Sequence, residues 1–135
     1  LLGDRQPEIY GSETLLEHVA AARERAQQEG FDLEHLQSNH EGDLIDAIHG
    51  ARGRVSSIVI NAGALTHYSW SLHDALTAYE GPVVELHLSA PKEREPWRHL
   101  SVIEPVAVAS VVGKGGSGYP EAIDIAIDAF SKSDD

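Results

Sequence analysis

Glu85-Leu86-His87-Leu88-Ser89 concentrates more chemistry than any other segment of this sequence. In an extended chain side chains alternate, so Glu85, His87 and Ser89 point to one face. A carboxylate two residues from an imidazole can accept its N–H, fix its tautomer and favour its protonated form. A general acid needs that arrangement. The same pentapeptide also fits a polar edge-strand face with a solvated histidine. Three further segments carry candidates. Asn61-Ala62-Gly63-Ala64-Leu65-Thr66-His67 reads as a strand end running through small residues into a helix. A helix beginning near His67 sets His67, Ser71 and Asp74 on one face, as a ligand-binding patch or as a capping patch. Arg94-Glu95-Pro96-Trp97-Arg98-His99 spaces two arginines four apart around an aromatic, able to grip a carboxylate or hydroxyls or simply to form surface ion pairs. Arg5-Gln6-Pro7-Glu8-Ile9-Tyr10-Gly11 reads as a movable loop holding a tyrosine near an arginine. A close positive charge favours tyrosinate, although loop tyrosines more often only pack.

Other chemistries are poorly served. Gly113-Lys114-Gly115-Gly116-Ser117-Gly118 matches the glycine fingerprint of dinucleotide sites and lies between a strand and a helix. That fingerprint also needs a later strand carrying an acidic residue about 20 residues on, and only one helix separates it from Asp135. It reads as a tight turn. Eight histidines raise the question of a metal, but no His-x-His or His-Glu-x-x-His spacing occurs, and a metal is not expected. A Ser89–His87 hydrolase is disfavoured because no nucleophile-elbow glycines flank Ser89. The sequence has no cysteine, which removes disulfides, thiolate nucleophiles and cysteine-based zinc sites.

These residues must be held by a chain of 135 residues, a length that suits one domain. Its formal net charge of −12 repels phosphate backbones, so nucleic acid is not an expected partner. Arg94, Arg98 and His99 form a local positive cluster, with Arg5 apart from them, where an anionic substrate finds a favourable field. The longest uncharged apolar stretch, residues 55–65, is far too short to span a membrane. Leu1 opens directly onto Gly3, Asp4 and Arg5, unlike a signal peptide, and a cytoplasmic location is expected.

Strand-like and helical segments alternate, and no internal repeat interrupts them. Thr14 with Glu17 reads as a capping box, followed by Leu15, Val19, Ala22 and Ala26 at helical spacing and a stop at Gly30. Phe31–Gln37 reads as a strand. Ser38 and Asn39 offer a cap for a helix with Leu44, Ile45 and Ile48 as its stripe. Ser57–Asn61 is nearly all apolar, the mark of a strand buried on both faces of a parallel sheet. Leu72, Ala75, Leu76 and Tyr79 mark a third helix. Pro82–Ser89 and Pro105–Val112 read as strands, and Ile123, Ile127 and Phe130 share a face of the last helix. The alternation implies an α/β sandwich with a parallel sheet. Ligands in such folds bind beyond the carboxyl ends of the strands, where Asn61 and the Glu85–Ser89 segment converge.

Taken in order, the motifs resemble the type II 3-dehydroquinate dehydratases. Leu-Leu-Gly followed by Arg-x-Pro-x-x-Tyr-Gly matches Leu1–Gly11, and Gln-Ser-Asn-His-Glu-Gly matches Gln37–Gly42. Asn-x-x-x-x-Thr-His matches Asn61–His67, Val-Glu-x-His-x-Ser matches Val84–Ser89, and Arg-Glu-x-aromatic-Arg-His matches Arg94–His99. The glycine-rich last turn matches Gly113–Tyr119. The match covers nearly the whole chain.

The resemblance implies one dehydroquinase domain over residues 1–135 with a flavodoxin-like three-layer sandwich. It implies a hydro-lyase that dehydrates 3-dehydroquinate to 3-dehydroshikimate by anti elimination through an enolate, in aromatic amino acid biosynthesis (the shikimate pathway) or in quinate catabolism. By position, Tyr10 would be the base that takes the proton next to the ketone, with Arg5 favouring its tyrosinate. His87 would protonate the departing hydroxyl, and Glu85 would orient it. Asn61 with the Leu88–Ser89 stretch would hold the substrate carboxylate. His67, Asp74 and Arg98 would contact the ring hydroxyls, and Arg94 would help near Tyr10. No cofactor and no metal would be needed, and the three lysines, Lys92, Lys114 and Lys132, lie outside the matched catalytic motifs. The assembly implied is a dodecamer built from trimers, with Asp74 reaching a neighbour's site.

The sequence departs from the family pattern in three places. The family begins with a strand and Asn-Gly-Pro-Asn-Leu-Asn just before Leu-Leu-Gly, where this sequence opens. The resemblance therefore implies a parallel five-stranded sheet lacking its first strand, which is central in the order 2-1-3-4-5. Ala90 stands where asparagine is usual, and Tyr68 and Trp70 are bulkier than the usual residues after His67. These differences motivate an alternative, a non-catalytic flavodoxin-like binding or assembly homologue.

Overall fold

The computed structural model describes residues 1–133. A one-turn helix, α1 (Pro7–Tyr10), precedes α2 (Leu15–Gln28). Thr14 caps the helix as expected, its hydroxyl accepting from the Glu17 amide at 3.3 Å, the Thr14 half of the capping box. At the other end Gly30 has φ of +82°, a left-handed turn that glycine adopts without steric cost. The α2 stripe buries Val19, Ala22 and Ala26 together with His18.

Helix α3 (Glu41–Ala51) has His40 at its N-cap, not Ser38 or Asn39, and receives no side-chain cap. Ser38 instead accepts from the His40 amide at 3.0 Å and donates to Asp43 at 2.7 Å, bracing the turn before the helix. Helix α4 (Trp70–Tyr79) is capped by Ser69, whose hydroxyl accepts from the Leu72 amide at 3.2 Å. Gly63–His67 is a separate 3-10 turn. The expected helix start near His67 is therefore corrected. Tyr68, at φ −156°, breaks the run, and His67 does not share a helical face with Ser71 and Asp74.

Among the described residues three strands form the sheet: β1 (Ile58–Ile60), β2 (Val83–His87) and β3 (Ala109–Val112), in the order β1-β2-β3 and all parallel. Central β2 is buried along its whole length. Its alternation divides the core. Val83 packs with α3 and α4 residues such as Ile48, Leu72 and Leu76, while Val84 and Leu86 pack with Val111, Ala122 and Ala126. Helices thus cover both faces, α3 and α4 on one, α2 and α5 (Gly118–Ser133) on the other. Burying Leu86 completely contributes about 1.5–3 kcal/mol.

Two strand readings are corrected. Phe31–Gln37 forms no strand, because no described neighbour offers it a ladder. It lines a groove of about 630 Å³ opposite Ile58 and Val59, on the side of β1 away from β2. That groove lies where the resemblance puts the central strand, so among the described residues three strands pair rather than the four expected to remain. The segment 105–112 is strand only from Ala109, because Pro105 sits in a 3-10 turn, Glu104–Val106. In α5 the buried positions are Gly118, Ala122 and Ala126, whereas Ile123, Ile127 and Phe130 line the groove. Among the described residues no helix is long and apolar enough to cross a membrane.

Candidate active site

The carboxyl ends of β1 and β2 lead directly into the polar segments singled out above. Glu85 and His87 alternate with Leu86 on buried β2 and are themselves 3% and 8% exposed. The His87 Nε2–H donates to Glu85 Oε2 at 2.9 Å. Glu85 also accepts from Ser101 at 2.5 Å and from Ser110 at 2.8 Å. Burial acts to raise its carboxyl pKa. The hydrogen bonds from His87, Ser101 and Ser110 outweigh burial and hold the group below the usual glutamate value. Glu85 is thus an anion that fixes the His87 ring, and His87 Nδ1 forms no hydrogen bond among the described residues. The solvated edge-strand reading is excluded by this burial.

Tyr10 comes to the same strand end from α1. Its phenol oxygen accepts from Arg94 Nη1 at 2.8 Å, and the same Nη1 donates to the Ser89 hydroxyl at 3.2 Å. The Arg5 guanidinium lies over the Tyr10 ring, 4.5 Å from its centre. The two arginines contact Tyr10 in different ways. Arg94 bonds the phenol oxygen, and Arg5 stacks on the ring face. Ser89 is bonded by Arg94 rather than by His87, which removes the hydrolase arrangement. A cleft of about 370 Å³ lies here, lined by Ile9, Leu88, Ser89, Ala90, Arg94 and Gly113 among others.

The glycine-rich turn belongs to this cleft. Gly113 N donates to Ser89 O and Gly115 N to Leu88 O, both at 3.0 Å. Gly113 and Gly115 have φ of +70° and +56°, which lets the turn fold back on the β2 end. Its glycines shape the Leu88–Ser89 backbone, as a tight turn should.

The remaining candidates are not drawn together as closely. His67 is buried, with Nδ1 donating to Leu100 O at 2.7 Å, and its ring meets Trp97 edge-on at 5.4 Å. Arg98 stacks on Trp97 at 4.0 Å and pairs with Glu95 at 2.6 Å. Asn61 follows β1, and its side-chain oxygen accepts from Gly63 N at 3.2 Å. Asp74 is exposed on α4 and has no ion pair or side-chain hydrogen bond among the described residues. Ser101 and Ser110 were not foreseen as site residues. Ser110 meets Glu85 through the parallel register of β2 and β3, which no local pattern in the sequence announces. Among the described residues no group of three or more acidic or histidine side chains is placed to hold a metal.

Comparison with known proteins settles the lineage. The family model described as dehydroquinase class II matches residues 1–127. The chain belongs to that family. Among its relatives, the 3-dehydroquinate dehydratase 1 of Corynebacterium efficiens is 53% identical over 125 residues, covering 93% of this chain and 83% of the relative. The catabolic 3-dehydroquinase of Aspergillus clavatus is 49% identical over 124 residues, covering 92% and 83%. The crystal structure of a type II dehydroquinase from Butyrivibrio crossotus superposes with a TM-score of 0.90 at 42% identity, covering 93% of this chain and 88% of the other. The parallel α/β sheet of this family member is accordingly flavodoxin-like, and these relatives do not favour the non-catalytic alternative.

Proposed function

We propose that this class II dehydroquinase removes water from 3-dehydroquinate. One observation supports the reading most directly. Arg94 bonds both the Tyr10 phenol and Ser89, which brings a base to the same strand end as the Glu85-bound His87. Tyr10, in its deprotonated form, takes the proton from the carbon next to the ketone and becomes the neutral phenol, leaving the electron pair as an enolate. The enolate collapses and breaks the carbon–oxygen bond of the β-hydroxyl. The leaving oxygen takes a proton from Nδ1 of the doubly protonated His87 ring, the nitrogen that Glu85 leaves free, and departs as water, while the ring keeps the Nε2–H that it donates to Glu85. A guanidinium hydrogen bond is strongest to a phenol oxygen that carries negative charge, so Arg94 directly and Arg5 across the ring face support Tyr10 in the deprotonated form that takes the proton.

The substrate carboxylate fits the Leu88–Ser89 backbone with Asn61. His67, Asp74 and Arg98 are assigned to the ring hydroxyls, Asp74 toward a neighbouring subunit. The exposed aromatic surface beside them supports assembly of like chains. Tyr68, Trp70, Trp97 and Leu100 are 62%, 58%, 54% and 57% exposed, a grouping that monomers seldom leave to water. We assign to that surface a contact between like chains, within the dodecamer of trimers that the family resemblance implies. A single domain over residues 1–135 agrees with one sheet covered on both faces, and a cytoplasmic site agrees with the absence of cysteine. The shikimate or quinate pathway is its metabolic setting.

The test is direct. Adding 3-dehydroquinate to purified protein produces the rising ultraviolet absorbance of a conjugated enone. Tyr10→Phe and His87→Ala each abolish the rise while circular dichroism stays unchanged. Folded protein that gives no such rise overturns the proposal.

A further inference from the structure

We propose that Ser101 and Ser110 are positioning residues for the elimination, acting through Glu85. The inference rests on the reading of His87 as the acid. A carboxylate buried as deeply as Glu85 is costly unless its lone pairs are satisfied. His87 supplies one donor and the two serines supply the other two, one to each oxygen.

Ser101 is built for this task. Its oxygen accepts from the Ile103 amide at 3.2 Å and from the Glu104 amide at 3.0 Å. With both lone pairs occupied, the hydroxyl has one role left, as a donor, and its hydrogen is directed at Glu85 Oε2. That oxygen is the one that holds His87. Ser101 thereby fixes the lateral position of the carboxylate oxygen that sets the imidazole plane. The neighbouring residues carry the same segment into the site. Leu100 O accepts from His67, and Val102 O accepts from His73 at 2.8 Å. Residues 100–102 thus form a short strap that ties His67 and Glu85 in a single register.

Ser110 acts from the opposite side. It lies on edge strand β3 directly across from Glu85 and bonds Oε1, leaving the carboxylate no free rotation. Ser110 is itself exposed, so losing its hydroxyl removes little packing. Among the described residues, the titratable side chain bonded to Glu85 is His87 alone, and the groups facing it from the Ser101 segment and from β3 are hydroxyls.

The experiment uses the full chain with 3-dehydroquinate. Ser101→Ala lowers kcat about ten-fold with KM nearly unchanged, the loss typical of a partner that orients a reacting group. Ser110→Val gives a smaller loss of kcat, and Ser110→Thr, equal in shape but with the hydroxyl, restores it. In both hydroxyl-less variants the acid limb of the rate profile moves to higher pH, because Glu85 has lost donors that favour its anion. In a Glu85→Gln background Ser101→Ala adds no further loss, since the serine works through the carboxylate. Ser57→Ala, which loses a 2.8 Å bond to Ala126 O away from the site, leaves kcat unchanged. Ser101→Ala and Ser110→Val enzymes with wild-type kcat and wild-type acid limb overturn the inference, whatever their melting temperatures. An inactive wild type refutes the dehydratase reading instead.

Discussion

Replacing Arg94 by methionine separates the two arginines around Tyr10. The Arg94 side chain is 15% exposed, and its Nη1 donates to the phenol oxygen at 2.8 Å, a length typical of a charge-assisted bond. Such bonds contribute about 1.5–3 kcal/mol. If that energy sustains the charged phenol oxygen that takes the proton, kcat falls by about ten- to a hundred-fold on its loss. Methionine keeps a similar length and apolar body, so the loop retains its packing while losing the donor. Arg5 makes only a face-on contact at 4.5 Å, for which about 0.5–1 kcal/mol is typical at an exposed site. Arg5→Met should therefore lower kcat by no more than about five-fold. Steady-state rates of enone formation, with KM measured separately, decide the matter. An Arg94→Met enzyme within two-fold of wild type, beside an Arg5→Met enzyme that collapses, would refute the assignment. It would mean that the loop re-pairs Tyr10 with Arg5 when substrate binds.

Glu85 also makes stability depend on pH. A carboxyl held below its unfolded value binds fewer protons in the native state, so its contribution is complete above the ordinary glutamate value of about 4.3 and disappears as pH falls through the lower native value. Urea midpoints should drop across that acid window, and Glu85→Gln should flatten the drop. Leu86→Ala removes a fully buried side chain from the centre of the sheet and should destabilise by about 2–5 kcal/mol in urea titration, provided unfolding remains two-state. Trp70→Glu places a charge in the exposed aromatic surface and should lower the mass measured by light scattering, and an unchanged mass would remove that surface from the assembly. Gly116→Ala would set its new methyl about 2.3 Å from the ring of buried His18, so the melting temperature should fall.

Sequence alone determined what depends on short separations. The alternation of a strand puts Glu85 and His87 on one face whatever surrounds them, so the carboxylate–imidazole pair was legible from five residues. The Thr14–Glu17 cap and the Gly30 stop are likewise set within one helical turn. The apolar run at 57–61 announced a doubly covered parallel strand because such a strand has no polar face to show. The order of the motifs carried the family, since several fixed spacings repeated in sequence are very unlikely to recur by accident.

The tertiary structure decided everything that depends on residues far apart in the chain. Tyr10 and Arg94 are 84 positions apart, and only the folding of α1 against the β2 end selects Arg94 over adjacent Arg5 as the donor to the phenol. Ser110 meets Glu85 through the register of two strands, and Ser101 meets it through a loop whose amides orient its hydroxyl, neither of which leaves a local signature. Phe31–Gln37 has the composition of a strand yet pairs with nothing, because a strand is made by its neighbour's hydrogen bonds as much as by its own side chains. Helix α4 begins at Trp70 because the Ser69 hydroxyl caps it there, a choice between nearby polar residues that periodicity cannot rank.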